Sequence, residues 1–341
     1  MRLPRVLTVP EPEIGRELVI PEGVRLVEWP MTEDLPADLA AEVEAVMVPH
    51  YVTGSMLARL RSLPRLSLVQ LPSAGYEHAV QHLPPGVTLC NGRGVHDDET
   101  AELAIGLVLA SLRDLAEYVR LQDAGVWAPH RSVSLADRRV MVIGAGAIGH
   151  AIAARLRPFA VDVVRVGRTG RDDPDGHVHG TEELPELVPT VDVVILITPL
   201  TAETTHLVDA EFLARMRDGA VLVNVSRGKV VDTDALVAEL RSGRLRAGLD
   251  VVDPEPLPAD HPLWTSPGVI LTPHVGGFTT ATHSRFVALI QRQLDRLSRG
   301  SRRSTSSGRS DRDCAVRPLG RIRARRGRWG AGGASTGPRS G

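Results

Sequence analysis

The stretch "RRVMVIGAGAIGHAIAARL", residues 138–156, decides the fold. An apolar run from Val140 to Ile143 stops at Gly144-Ala145-Gly146-Ala147-Ile148-Gly149, and helical spacing follows at once. In a chain with 32 glycines, a GxGxxG pattern is weak by itself. Between a strand and a helix it predicts a turn that cradles a dinucleotide pyrophosphate. The first glycine makes the tight turn, the second lets backbone approach the phosphates, and the third lets helix pack on strand. Ala147 and Ile148 then open a helix whose positive end favours the ligand's charge.

On both sides of this turn the pattern repeats. After Arg138 come the strand candidates "RRVMVIG", "VDVVRVG", "VDVVILITP", "AVLVNVS", "RAGLDVV" and "GVILTPH", with helical pieces such as "DAEFLARMRDG" and "TDALVAELRSG" between them. Near-continuous Val/Ile/Leu runs belong to strands covered on both faces, so this half predicts a doubly wound parallel α/β sheet. The first ninety residues alternate in the same way through "RVLTVP", "RLVEWP", "AVMVPHY", "LSLVQLPSAG" and "VTLCNGRG". Between the halves, residues 97–125 read as one long helix, apolar on nearly every side and therefore buried all round. In residues 282–300, Phe286, Leu289, Ile290, Leu294 and Leu297 share a helical face, expected to return onto the first half.

A length of 341 residues suits two domains, because single cores stop growing near ~250–300 residues. The N-terminus "MRLPRVLTVPEPEIG" breaks too early to be a signal-peptide core, and no run approaches the ~18 apolar residues of a membrane span. The two cysteines, Cys90 and Cys314, make neither a disulfide framework nor a metal site. The expectation is a cytoplasmic chain with no metal. The net charge of −1 conceals eleven Arg against two Asp after residue 300, which leaves about −10 on the remainder. An acidic body is not expected to bind nucleic acid. Segment 301–341, without periodicity, reads as a disordered Arg-rich tail.

Three of the later strands release a polar residue at the carboxyl end: Arg227, Glu255 and His274. In open α/β sheets ligands bind outside those ends, so all three are expected to face the cleft of the glycine turn. Each alone reads as an ordinary turn or loop residue; together their chemistry is complementary. Arg grips a carboxylate through a planar fork. A His beside the adjacent carbonyl delivers a proton as hydride arrives, and a Glu next to it fixes the ring and favours its protonated form. With a nicotinamide, such a set reduces 2-oxo acids or oxidises 2-hydroxy acids. In "LTPHVGGFT", Gly276 and Gly277 are then expected to keep the surroundings of His274 open to the nicotinamide.

The second Rossmann strand usually ends in an acid that binds the adenosine ribose. Here Gly167 holds that place, followed by Arg168 and Thr169, which suits NADP(H) over NAD(H). The alternative is a solvent-facing Arg with an acid supplied from elsewhere.

With these motifs in order, the sequence resembles the D-isomer-specific 2-hydroxyacid dehydrogenase family, and within it the NADP(H)-using glyoxylate and hydroxypyruvate reductases. The resemblance rests on "VIGAGAIGHAIAARL", "ITPLTAETTHLVDAEFLARMRDGAVLVNVSRGKVVDTDAL", "AGLDVVDPEPLPADHPLW" and "ILTPHVGGFT", over about residues 91–298. "LPSAGYEHA" resembles the family's substrate loop. The resemblance implies two Rossmann-like domains with the active-site cleft between them. One is a flavodoxin-like substrate domain, 1–92 plus 283–300; the other is a dinucleotide-binding domain, 93–282. It makes Arg227, Glu255 and His274 catalytic, and the backbone around Ser73, Ala74 and Gly75 the carboxylate site. Thr198, Pro199, Val225 and Ser226 would line the cofactor, with Asp250 near the carboxamide. It also implies a homodimer through the cofactor domain. Substrate selectivity is assigned to Tyr51, Val52 and Tyr76.

A different class remains: a non-catalytic, nicotinamide-sensing protein on this scaffold, against which the complete Arg–Glu–His set argues. A phosphite-oxidising relative is disfavoured because "LVQLPSAGYEH" offers no Lys for an inorganic oxyanion.

Overall fold

The computed structural model describes residues 3–299; the tail expected to be disordered lies outside the described residues. Strands β1 (Val6–Val9), β2 (Arg25–Glu28), β3 (Ala45–Met47), β4 (Leu68–Gln70) and β5 (Thr88–Cys90) form one sheet, in the order β2-β1-β3-β4-β5. A six-stranded second sheet contains β6 (Arg139–Ile143) and β7 (Asp162–Val166). After an antiparallel hairpin of β8 (Arg171–Asp173) and β9 (Gly176–Val178), it is completed by β10 (Val193–Leu196), β11 (Val221–Asn224), β12 (Arg246–Leu249) and β13 (Val269–Leu271). Its order is β13-β12-β11-β10-β6-β7, and every pairing in both large sheets is parallel.

The inner strands of each sheet are covered on both faces, which is why they read as apolar runs, whereas the edge strand β2 (RLVE) is partly exposed. One face of the large sheet packs Met141, Ile143, Leu196 and Leu222 against Phe212 and Leu236. The other packs Val140, Val142, Ile195 and Val223 against α1 (Asp97–Leu112) through Ala104, Leu107 and Val108. The pattern had predicted one helix across 97–125. Instead the chain breaks at Asp114, whose φ is +54°, and restarts as α2 (Leu115–Asp123). The break is held by side chains from elsewhere. Arg246 donates to Ser111 O (2.7 Å), satisfying the end of α1, and to the Asp114 carboxylate (2.8 Å), which also meets His130 (3.1 Å).

Helix α3 (Ala147–Leu156) follows the glycine turn, and α4 (Ala281–Ser298) returns to the first sheet. Phe286, Leu289, Ile290 and Leu294 are buried there among Leu7, Val9, Met47, Leu68 and Cys90, with Leu297 at the margin. Burying such side chains is worth roughly 1.5–3 kcal/mol each. The α4 end is stapled to the start of α1: Arg285 pairs with Asp98 and Glu99, each at 2.7 Å. The two chain crossings between the sheets are thereby tied side by side.

Candidate active site

The switch point of the second sheet lies between β6 and β10, where strand order reverses and a crevice opens at the carboxyl edge. Gly144 leaves β6 with φ +126°, and a Cβ there would collide with the Ile197 carbonyl. Gly149 likewise presses against the Gly144 carbonyl. At Gly146 a Cβ would meet nothing within 4 Å. Two glycines are therefore required by the chain itself, and the middle one faces open space. A cavity of about 460 Å³ lies over Ala145, Gly146 and Ala147, at the start of α3. Across the crevice, Thr198 Oγ1 is buried without a hydrogen-bond partner among the described residues. An open glycine turn, a helix N-terminus and an unsatisfied hydroxyl fit a dinucleotide.

The loop after β13 carries His274. Its backbone is left-handed, with φ +55°, a conformation that costs a non-glycine residue roughly 1–2 kcal/mol. The Asp250 main chain and side chain both hold it. His274 N donates to Asp250 O (2.8 Å), while the buried Asp250 carboxylate accepts from Thr272 Oγ1 (2.6 Å), Val275 N and Gly276 N (both 2.9 Å). Asp250, expected beside the nicotinamide carboxamide, thus binds the His274 loop through both oxygens. Gly276 and Gly277 also have a reason within the chain. A Cβ at 276 would lie 2.9 Å from Asp250 Oδ2, and one at 277 would lie 2.7 Å from the His96 ring.

His274 Nδ1 meets Glu255 Oε1 at 2.5 Å, with both side chains still partly open to solvent. Burial pushes the Glu255 carboxyl up. The His274 bond, its charge, a backbone bond from Val252 and the Arg227 charge outweigh that and leave it below its ordinary value. Because Nδ1 is occupied, Nε2 is the ring nitrogen left for a substrate.

Arg227 follows β11 in a turn shaped by Asn224. The Asn224 amide accepts from Ser226 N (3.0 Å) and Ser226 Oγ (2.7 Å) and donates to Arg227 O (3.0 Å). Val225 and Ser226 are buried beneath it, and Pro199 is exposed at the end of β10. The Arg227 guanidinium donates to Ser226 O (2.7 Å) and crosses to the other sheet, where it lies directly against Gly75. Any side chain at 75 would displace it. Glu77 Oε2 stands 3.6 Å from it, a second partner that sequence reading missed although it lies inside the quoted loop, two residues after Gly75.

That loop, Ser73-Ala74-Gly75, follows β4 with its carbonyls tied. Gly92 N reaches Ser73 O (2.6 Å), Asn91 Nδ2 reaches Ala74 O (2.9 Å), and Ser73 Oγ reaches Gly75 O (2.8 Å). Among the described residues, no acceptor meets the Ala74 and Gly75 N–H groups. They lie next to the Arg227 guanidinium, so free N–H donors and a cation share one corner of the cleft. His78 is also drawn into this neighbourhood: burial first, then the Arg227 charge, with smaller pushes from His82 and His274, hold it below its ordinary value against Glu77. Tyr51 and Tyr76 are exposed, and Val52 is half-buried against the core of the first sheet.

Residues 105–276 match the family described as D-isomer specific 2-hydroxyacid dehydrogenase, NAD binding domain. A glyoxylate reductase of Korarchaeum cryptofilum is 35% identical over 303 residues, covering 82% of this chain and 91% of that relative. The chain belongs to the D-isomer specific 2-hydroxyacid dehydrogenase family. The human glyoxylate reductase/hydroxypyruvate reductase is 34% identical over 239 residues, 67% of this chain and 73% of that protein. Among solved structures, the NADPH-dependent glyoxylate/hydroxypyruvate reductase of Sinorhizobium meliloti, in complex with NADP and malonate, superposes with TM-score 0.70. It has 31% identity and covers 86% of this chain and 93% of its own.

In a doubly wound nucleotide-binding sheet the residue at the end of the second strand, here β7, is the one that meets the adenosine ribose. There Gly167 is buried, and Arg168 and Thr169 are exposed. The chain then turns back through β8, so that the Arg171 guanidinium lies 2.9 Å from where a Cβ of residue 167 would stand and donates to Ala145 O (3.3 Å). Arg93 and Asp172 share the rim of the same cavity. Sequence reading stopped at Arg168 and missed Arg171, since only the hairpin brings it over the glycine turn. Among the described residues no helix is long and apolar enough to cross a membrane.

Proposed function

We propose that this dehydrogenase reduces small 2-oxo acids of the glyoxylate and hydroxypyruvate class to D-2-hydroxy acids, with NADPH preferred to NADH. The observation that carries this reading is the Glu255-anchored His274 opposite Arg227, which is itself seated on Gly75 of the other sheet. Arg227 and the Ala74 and Gly75 amides grip the substrate carboxylate and align its carbonyl. A reduced nicotinamide dinucleotide, its pyrophosphate held at the glycine turn, would supply the hydride. His274 Nε2 gives its proton to the carbonyl oxygen, and the Glu255 carboxylate holds the ring in position as it does so. The reverse reaction runs with His274 as base.

The NADPH preference is supported by Arg168 and Arg171 around a residue-167 position without a carboxylate. The two acids on the rim of that cavity are both engaged elsewhere, Asp172 by His177 (2.7 Å) and Asp173 by Arg165 (2.9 and 2.7 Å). Residues 3–92 with 283–299 would form the substrate domain and 93–282 the cofactor domain. A homodimer through the latter is supported by the exposed apolar side chains Leu115, Val119, Val126 and Trp127.

Initial rates with glyoxylate, hydroxypyruvate, pyruvate and larger 2-oxo acids, each with NADPH and NADH, test the assignment. Turnover of the two smallest acids with NADPH is expected. Tight cofactor binding with no turnover of any acid would replace it with the sensing function.

A further inference from the structure

The β8–β9 hairpin belongs to neither large sheet and hangs from the end of β7 through His179. The His179 N–H donates to Arg165 O (2.8 Å), and Gly167 N donates to His179 O (2.9 Å). The returning segment reads "GHVHGTEE", residues 176–183. Residues two apart in extended chain share a face, so His177 and His179 stand on the same side. Their rings meet edge to face, with centroids 4.6 Å apart. A tight turn brings Glu183 back to them. Its Oε1 accepts from Gly180 N (2.8 Å), which fixes the carboxylate, and its Oε2 lies 2.7 Å from His179 Nδ1. One donor atom from each of His177, His179 and Glu183 falls within 4.8 Å of the others. Across the hairpin register, Asp172 places Oδ1 2.7 Å from His177 Nδ1.

We propose that His177, His179 and Glu183 form a binding site for a divalent transition-metal ion of the zinc type, with Asp172 orienting the His177 ring. Two imidazoles and a carboxylate are ligands that zinc, cobalt and nickel accept and that magnesium or calcium do not favour.

Two other His–carboxylate groups in the molecule show why this one is singled out. At His150, Asp173 and Asp175, the Arg165 guanidinium already bonds both Asp173 oxygens (2.9 and 2.7 Å) and stands 3.4 Å from His150 Nε2. At Asp114, Glu117 and His130, Arg246 already holds Asp114 (2.8 Å). In both, a cation of the chain sits where the metal's charge would go. Among the described residues, Asp172 and Glu183 pair with no Arg or Lys, only with the two histidines. Metal binding releases whatever proton each His–carboxylate pair shares, because the ligating nitrogen and oxygen must offer lone pairs.

An ion here staples β8, β9 and the 180–183 turn together. The His179 backbone flanks Gly167, and Thr181 Oγ1 donates to Arg168 O (3.4 Å), so the ion also stiffens the segment carrying Arg168 and Arg171. This coupling to NADPH rests on the proposed function; the metal site does not.

The test uses the full, untagged, metal-free chain titrated with Co²⁺ in the absence of cofactor. Expected is a visible d–d absorption band that saturates, that Zn²⁺ displaces, and that His177→Ala and Glu183→Gln abolish while His150→Ala leaves it intact. His177 is exposed, and the amide introduced by Glu183→Gln keeps an oxygen to accept from Gly180 N, so neither change removes a buried contact. The absence of a band, or one surviving in both variants, overturns the site. NADPH titrated by fluorescence with and without Zn²⁺ then reads the coupling: about fivefold tighter binding is expected. An unchanged dissociation constant overturns the coupling, and failure of the 2-oxo acid assays would leave the cobalt result standing.

Discussion

Two histidines flank the loop that ends the second sheet, and they are opposites. His274 is partly open to solvent, its Nδ1 tied to Glu255 and its backbone strained into the left-handed region. His96, packed on Gly277 three residues along that loop, is buried, and neither ring nitrogen has a partner among the described residues. His96 meets the His50 ring edge to face (centroids 5.0 Å), and His50 in turn stacks on Phe278 (5.4 Å); His274 stands beside a carboxylate. A proton can be delivered only by a ring that is oriented, reachable and able to carry charge. His96 has none of these features and fills space at the crossing between the sheets. Residue type does not separate the two; the company each keeps does.

The comparison is broken most directly at His274. His274→Gln is expected to lower kcat for 2-oxo acid reduction by about 10²–10⁴-fold while NADPH binding, followed by fluorescence, stays unchanged. His96→Leu under the same assay should retain most of its activity. Comparable losses in both would erase the distinction and move the acid elsewhere.

Next in size is the seat of Arg227. A methyl group at residue 75 occupies the place of the guanidinium, so Gly75→Ala must push Arg227 aside. Misplacement on the scale of an ångström costs about 10²-fold. We expect that loss in kcat/KM, mostly through KM, with an unchanged melting temperature. Wild-type kinetics in this variant would remove Arg227 from carboxylate binding.

A smaller effect belongs to the cofactor end. Arg171→Ala should cut the proposed NADPH-over-NADH preference about tenfold, the worth of one charge-assisted bond, and leave the NADH rate alone. Equal losses with both cofactors would mean that Arg171 supports the glycine turn through Ala145 and does not read the 2′-phosphate.

How legible this was depended on distance along the chain. All eleven strands of the two large sheets stand inside the quoted runs, most of them because burial on both faces writes itself as Val/Ile/Leu, and edge strand β2 (RLVE) through its short apolar centre before Trp-Pro. The glycine turn was legible for the same local reason. What escaped was set by tertiary partners. The break at Asp114 is stabilised by Arg246, more than a hundred residues away, and interrupts a pattern that local periodicity reads as one helix. Arg171 reaches the glycine turn only because an antiparallel hairpin folds it back, and that hairpin's short polar strands carry no apolar alternation. Gly276 and Gly277 looked like room for a ligand, yet Asp250 and His96 take that room. A glycine announces a close approach without saying by what.

The smallest effect sharpens the comparison from the side of His96. Burial first, then the neighbouring His50 and Arg285, hold its pKa down to about 4 from an ordinary 6.5, with Glu99 opposing. His50, the other ring facing it, is also held low, by burial against the pull of Glu11 and Glu99. Between those two values the unfolded chain binds a proton that the folded chain refuses. Stability is therefore whole above 6.5 and falls as the pH drops towards 4. Over the first pH unit of that window the loss is about 1 kcal/mol, or a few degrees in melting temperature. Urea midpoints compared at pH 6.5 and about one unit lower should show this slope in the wild type and a flatter one in His96→Leu, whatever the variant's absolute stability. An equal slope in both proteins would transfer the acid sensitivity to His50, and with it the claim that His96 is the ring the fold keeps neutral.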